Sequence, residues 1–471
     1  MEEEEAGGPV GGVILEESLL LDKDTRELSS AARTLLGRLR HWNLRCGIAA
    51  AAADDSSTPP CDRFLDTDPL GWPDFPVSLT LVYVASSAPV TRSFVSPVVT
   101  VLVDAADDAC TAISKLDELP LAIFRLNARV VGDNVIKVGY SMKPSREHDF
   151  AKRGAFPISP SPNGLMFMPL SFELPLPPQL RLLDAVLHKA TDDIVSIDLT
   201  DSSSPAAVYT SGMQNLQRYL EHDSHCSVID PFDKIALVLD RLKIQQTLLG
   251  LHDLNAGTRS TIRGPRFLQV NKFDGPDLLH KMSQAQLSLP CIVKPQVACG
   301  VSDAHSMAII FRVQDFKDLK VPLPAVIQEY VDHSSTLYKI YCLGGKVFYA
   351  VKKSIPNADV LTKFADKDAL EPLLFDSLKS LPTSNGQDTG SSPIMTNDRT
   401  FDIELVNDAA NWLWRKLDMT IFGFDVVIEE STGDHVVVDV NYLPSFKEVE
   451  DDVAVPAFWD AIRRKFEATK T

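Results

Sequence analysis

Apolar positions along this 471-residue chain change rhythm several times, and each rhythm predicts its own element. Val13–Leu15, a helical stretch near 28–44 and Cys46–Ala50 give a strand, helix, strand order, and the burst Val98–Val103 adds another apolar run. A strand is expected over Val135–Tyr140, followed by a loop rich in Lys and Arg. The proline-dense interruption Phe156–Pro178 then reads as an insertion or exposed loop. Helical periodicity returns at Met213–Tyr219 and over Asp233–Leu249, where Ile235, Leu239 and Leu242 fall on one stripe. Strands are expected at Phe267–Val270, Pro290–Lys294, Met307–Phe311, Ala325–Tyr330, Thr336–Cys342 and Val347–Val351. The polar stretch Leu381–Asn397 reads as a mobile loop. A helix near Ile403–Leu417, two strands (Thr420–Glu429 and Asp434–Val440) and a terminal amphipathic helix complete the pattern. This later order is α+β, not repeated βαβ.

Composition narrows the class. The length suggests about three domains of ordinary size, and a hydrophobic content of 45% is enough to bury several cores. No apolar run approaches the ~18 to 20 residues of a membrane helix, and the acidic start Met1–Glu5 is the reverse of a secretory n-region, so the expected compartment is the cytosol, with the nucleus open. The seven cysteines are scattered, form no Cys-x-x-Cys pair and read as reduced thiols. A net charge of −18 argues against a nucleic-acid or anionic membrane surface, so any anionic ligand must meet a local basic pocket. Ala-rich tracts such as Ile48–Ala53 and the Ser/Pro-rich link Ser56–Pro60 set residues 1–130 apart as a small α/β unit.

The chemistry concentrates in the two late strands. Asp425 stands in Ile-Phe-Gly-Phe-Asp-Val-Val-Ile, and Asp439 with Asn441 in Val-Val-Val-Asp-Val-Asn. Side chains alternate along a strand, so Asp439 and Asn441 point to one face. A hairpin across Ser431–Asp434 would bring Asp425 to the same surface, giving two carboxylates and an amide oxygen. That all-oxygen set suits Mg²⁺ bridging nucleotide phosphates. Lys294 ends the apolar run of Leu-Pro-Cys-Ile-Val-Lys-Pro and precedes the loop Ala298–Ser306, where Gly300 lets the backbone approach a nucleotide. In Val-Ile-Gln-Glu-Tyr-Val, Gln328 and Val331 are candidate adenine contacts.

Taken in order, Lys294, the glycine loop, Gln328–Val331, Lys339 and the set Asp425, Asp439 and Asn441 resemble an ATP-grasp fold, in which two α+β lobes hold ATP between them. The phrases Gly-Tyr-Ser-Met-Lys-Pro-Ser-Arg at 139–146, His-Lys-Ala-Thr-Asp at 188–192, Val-Ile-Asp-Pro-Phe-Asp at 228–233 and Gly-Phe-Asp with Val-Asp-Val-Asn-Tyr-Leu-Pro resemble the inositol 1,3,4-trisphosphate 5/6-kinase family, also called inositol tetrakisphosphate 1-kinase. Matching phrases cover about 134–455, and a long amino-terminal extension is associated with a plant branch. The opening strand, helix, strand rhythm resembles a haloacid dehalogenase-like domain. Its Asp-x-Asp places read Glu16 and Ser18, which implies a degenerate domain without phosphatase chemistry. The expected layout is that domain over 1–130, an inositol-phosphate-binding α/β domain over 131–242, a central ATP-grasp lobe over 243–345 and a carboxy-terminal lobe with the metal site over 346–471.

The resemblance implies roles residue by residue. Arg146, Lys189, His305, Lys339, Asn441 and Ser445 are implied for the inositol phosphate; Arg241, Lys294, His305, Gln328, Val331, Lys339 and Ser354 for ATP; and Asp425, Asp439 and Asn441 for two Mg²⁺ ions. No general base is assigned. Lys143, Lys152, Arg153, Lys352 and Lys353 would add positive charge around a polyphosphorylated ring. The expected partners are inositol tris- and tetrakisphosphates, handled by a monomer. Departures from the family pattern put regiospecificity in question: Ser145 and Arg146 replace a Lys pair, Cys299 stands where a His or Asp is common, and Ser445 replaces a glycine. Two rival readings are a non-catalytic inositol-phosphate sensor or scaffold, and an ATP-grasp carboxylate-amine ligase, which would normally show Glu-x-Asn where this chain has Asp-Val-Asn.

Overall fold

The computed structural model describes residues 8–22, 24–49, 75–86, 97–104, 111–132, 134–199, 206–222, 225–255, 260–364, 371–379, 382 and 401–470. The tract 50–53, the link Ser56–Pro60 and the stretch 381–397, apart from Pro382, lie outside these residues. The chain divides into two compact units, one made of 1–188, 219–228 and 466–471, the other of 189–218 and 229–465. No described helix is long and apolar enough to cross a membrane. Among the described residues five cysteines are present and all are free thiols.

The first unit holds parallel sheets. Strands Arg45–Ala49, Val10–Glu16, Thr80–Ala85, Val98–Val103 and Thr111–Ile113 lie side by side in that order, each parallel to its neighbour. Their apolar runs are continuous because both faces are covered, as in the wholly buried Thr80–Ala85. The helix expected near 28–44 is Ser30–His41, capped by Ser29, whose hydroxyl accepts the Ala32 N–H. Glu16 ends its strand as an acceptor for the Ser86 N–H and hydroxyl, both at 2.9 Å. A second set of parallel strands follows: Leu165–Pro169, Ile136–Ser141 and Ala185–His188. Leu165–Pro169 corrects the reading of Phe156–Pro178 as an exposed loop, because Leu165, Met166, Phe167 and Met168 are all fully buried. The prolines on either side hide a strand only five residues long. The buried Asn127 side chain ties the two sets together, accepting from the Val10 N–H at 2.8 Å and donating to the Ile158 carbonyl at 3.1 Å.

Among its described residues the second unit contains the antiparallel pair Ile194–Asp198 and Ala206–Tyr209 and two larger, mainly antiparallel sheets. Phe267–Val270, Ala325–Glu329, Cys291–Pro295, Ser306–Ile310 and Leu373–Asp376 make one, with a core of Val293, Ala308, Ile310 and Ile327 against Phe316. Ile262–Arg263, His435–Tyr442, Ile421–Ile428, Thr336–Leu343 and Lys346–Lys353 make the other, antiparallel except for the short first strand. Helix Ile403–Leu417 matches its expected bounds, starting at an Asp402 cap and stopping at Asp418 in the left-handed region. Arg263 joins the sheets, its guanidinium paired with Glu329 from one and with Glu429 and Asp434 beside the other.

The single helix expected over Asp233–Leu249 is broken. Phe232–Ala236 gives way to a tight turn, Asp240 is extended, and a new helix, Arg241–Leu248, starts from an Asp240 cap. The tertiary cause is a backbone bridge from this segment to 296–298: the Arg241 N–H meets the Gln296 carbonyl, and the Ala298 N–H meets the Leu239 carbonyl.

Asp230 anchors one of the central strands. It is fully buried, and its carboxylate faces the Thr420 N–H at 2.8 Å from both oxygens and the Ile421 N–H at 3.2 Å. Burial pushes this carboxyl up to about 6 against those donors. Replacing Asp230 with Ala leaves these N–H groups buried without an acceptor, and urea unfolding is expected to show a loss of about 2 to 5 kcal/mol. A loss below about 0.5 kcal/mol would contradict the anchoring role.

Candidate active site

Strand register assembles the centre of the site. Lys339 lies opposite Asp425, and Asp425 opposite Asp439, on three adjacent antiparallel strands, so the three side chains share one face in a row. Asn441 is two residues beyond Asp439 on that face and donates to its carboxylate at 3.3 Å. The hairpin turns at 431–434, with Gly433 at φ +78°. Burial pushes the half-buried Asp425 carboxyl up to about 6; Lys339 opposes that shift and Asp439 reinforces it. Among the described residues no cluster of three His, Cys, Asp or Glu side chains could hold a metal ion. The donors present are two carboxylates and an amide. That set fits a hard divalent cation whose remaining ligands are phosphate oxygens and water.

The other sheet contributes Lys294. It is 8% exposed and its ammonium donates to the Val438 carbonyl at 3.3 Å, next to Asp439. Burial lowers its pKa to about 8, with Asp439 and Asp425 acting against the shift and Arg241 with it. The loop that follows is held by Arg241. One guanidinium nitrogen donates to the carbonyls of Pro295 and Val297 at 2.7 Å and Ala304 at 3.0 Å, and the other to Ala298 at 3.2 Å. Arg241, expected at phosphate, here clasps the loop that carries Cys299, Gly300 and His305. A Cβ on Gly300, at φ +86°, would fall 2.7 Å from Ile194, which fixes how closely that loop packs. Burial raises the Cys299 thiol pKa despite nearby Lys189 and Arg241.

Lys189 is buried, donates to the Tyr442 carbonyl and lies 4.8 Å from that ring's centre, which places it one residue from Asn441. His305 sits 3.2 Å from the Ser377 hydroxyl, its pKa lowered by burial and by Arg241. Gln328 is 3% exposed and its amide oxygen has no hydrogen-bond partner, an acceptor suited to an exocyclic amine. The Val331 carbonyl already accepts from His333 at 2.6 Å. The Ser354 N–H donates to the Ser335 carbonyl just past the edge strand, and Ser445 follows Leu443, which is at φ +40°. Lys352 pairs with Glu448. Arg146 and Lys143 lie on and before helix Pro144–Ala151 of the first unit, and Lys152 pairs with Asp149. Sequence reasoning missed Arg263 and Asp230. A carboxylate inside Val-Ile-Asp-Pro-Phe was the available signal for Asp230; Arg263 left none.

Residues 256–458 match the family model for the inositol 1,3,4-trisphosphate 5/6-kinase ATP-grasp domain. The chain is similar over that stretch to this family's ATP-grasp domain. Over 361 residues it is 49% identical to inositol-tetrakisphosphate 1-kinase 6 of Oryza sativa subsp. indica, covering 76% of this chain and 65% of that protein. Over 278 residues it is 30% identical to inositol-tetrakisphosphate 1-kinase of Danio rerio, covering 59% of this chain and 65% of that one. The chain thus spans slightly less than two thirds of each relative's own length. A D-alanine–D-alanine ligase structure from Bacillus anthracis aligns over 71% of this chain and 97% of its own at TM-score 0.40 and 13% identity, too distant to argue from.

With its pKa lowered to about 8, the Lys294 charge is present below about pH 8 and lost above it. The dissociation constant for ATP is therefore expected to rise by up to about tenfold between about pH 7 and pH 9, and Lys294→Met to bind weakly with that slope removed. Calorimetric titration across the range checks this. A flat wild-type profile would remove Lys294 from the candidate phosphate contacts.

Proposed function

We propose that the protein is an ATP-dependent inositol polyphosphate kinase, moving the γ-phosphate of ATP to a hydroxyl of an inositol tris- or tetrakisphosphate. The row Lys339, Asp425 and Asp439, with Asn441 beside it, carries this reading, because it is a preformed acidic and basic surface of the kind phosphoryl transfer uses. The match of residues 256–458 to the family model and the names of the relatives support it.

In this reading Asp425, Asp439 and Asn441 hold Mg²⁺, as many as two ions, which would neutralise charge on the transferring phosphoryl group. Lys294 and Lys339 supply fixed positive charge to the nucleotide phosphates from two different sheets. Gln328 accepts from the adenine amine, and the backbone at Val331 and Ser354 completes the nucleotide contacts. Arg241 acts through the loop, fixing where His305 and the glycine-bearing backbone meet the phosphates. Lys189, Asn441 and Ser445 face the inositol phosphate; for Arg146, in the first unit, a phosphate contact is what the family resemblance implies. Positioning and electrostatics suffice for this chemistry, so no general base is assigned. The forward step breaks a phosphoanhydride of ATP and forms a phosphate monoester. In reverse, a tetrakisphosphate would give one phosphoryl group to ADP, and the ATP so formed would return it to a different hydroxyl, isomerising the tetrakisphosphate with no net use of ATP.

Anion-exchange analysis of purified protein with Mg²⁺-ATP and separate inositol tris- and tetrakisphosphate isomers tests the proposal. Wild type is expected to convert at least one isomer, and Asp439→Ala to lose about a hundredfold or more of that rate. Binding of the isomers without conversion would replace the kinase with a sensor. Turnover on amino acids or peptides, with none on inositol phosphates, would replace it with a ligase.

A further inference from the structure

The first unit contains a tie that none of the chemistry above uses. In the last turn of helix Ser30–His41, Arg38 places Nε 2.7 Å from Oε1 of Glu147 and Nη2 3.0 Å from Oε2, a two-point fork on one carboxylate. Glu147 is only 9% exposed, sits in helix Pro144–Ala151 and directly follows Arg146. The buried Tyr140 hydroxyl donates to the same Oε1 at 2.9 Å, from the strand that leads into this loop. One residue further on, His148 Nδ1 lies 3.3 Å from Nε2 of His41, again from the end of the amino-terminal helix. The N–H groups of Arg146 and Glu147 both donate to the Lys143 carbonyl at 3.0 Å, so Lys143, Arg146 and Glu147 move as one turn.

Several considerations make this more than a surface ion pair. A helix of eight residues is marginal without tertiary support. The Arg38 and Glu147 side chains are 25% and 11% exposed, and the contact is bidentate, which removes it from the class of weak solvated pairs. Burial works against the Arg38 charge, and Glu147 more than offsets it. The amino-terminal helix packs through Ala32, Leu35 and Leu39, so its own folding does not call on the Arg38 fork. An arginine that must present a planar fork to a phosphate needs its backbone held, which is what a clamped neighbour supplies.

We infer that the amino-terminal sheet and helix brace the substrate loop, with Arg38 a positioning residue that sets the turn 143–147 and thereby aims Arg146. The inference rests on the proposed reading in which Arg146 takes a substrate phosphate.

The test uses the full chain carrying Arg38→Met, with Leu35→Ala as a control that loosens the same helix without touching Glu147. Hydrogen exchange over 143–151 is expected to quicken roughly tenfold in Arg38→Met while 421–442 stays unchanged. KM for the inositol phosphate is expected to rise roughly tenfold with KM for ATP and kcat within about twofold. Leu35→Ala is expected to lower Tm and leave both KM values alone. Should Arg38→Met not fold, Arg38→Lys keeps the charge, loses the fork and reads the same quantities at smaller amplitude. Unchanged exchange over 143–151 overturns the brace, as does an equal KM effect from Leu35→Ala. Arg146→Ala separates the two levels. If it raises KM and Arg38→Met does not, the brace alone is overturned; if it leaves KM untouched, the substrate reading of the loop fails and takes the brace with it.

Discussion

Charge held inside an apolar sheet is the constraint on which the second unit depends. Asp425 and Asp439 lie in runs of Val, Ile and Phe, where an unpaired carboxylate would be costly, and the cost is met because Lys339 and Lys294 approach from neighbouring strands. The arrangement remains unbalanced in the protein alone: the Asp425 carboxyl is pushed up and the Lys294 ammonium down. Groups so perturbed and so near one another are what the proposed reading assigns to a divalent cation for the carboxylates and to phosphates for the lysines.

The supporting interactions preserve that geometry. Asp230 grips the first N–H groups of the Asp425 strand, and the Tyr442 hydroxyl lies 3.3 Å from the Ile229 carbonyl and the Asp230 N–H. Arg241 spends its donors on four carbonyls of one loop, which explains why so basic a group is wholly enclosed. Arg263 links the ends of the two sheets through three carboxylates. Each is a charged residue satisfied by groups far away in sequence, and each constrains where a site side chain can go.

The first unit is built on a different plan, with parallel strands whose connections must cross over and whose apolar runs are therefore continuous. Its two sets of strands are pinned by Asn127 and by the Arg38–Glu147 fork. The second of these ends beside Arg146, and on it the inferred bracing of the turn 143–147 rests.

Much of this was legible in the sequence because strand alternation is local. Asp439 and Asn441 had to share a face, a hairpin across Ser431–Asp434 brought Asp425 to it, and helix Ile403–Leu417 has its expected bounds. The family phrases were likewise contiguous words. What failed depended on distant partners. The helix over Asp233–Leu249 broke at Asp240 because the backbone at 296–298 pairs with it there, and Leu165–Pro169 was buried by strands its prolines gave no hint of. Arg241 carries the same charge whether it meets phosphate or four carbonyls, and Arg38 lies 109 residues from Glu147. The chain alone determined which residue types and local periodicities were present. Only tertiary structure decided which charges face one another, because hydrogen bonds and ion pairs are set by positions in space that sequence separation does not encode.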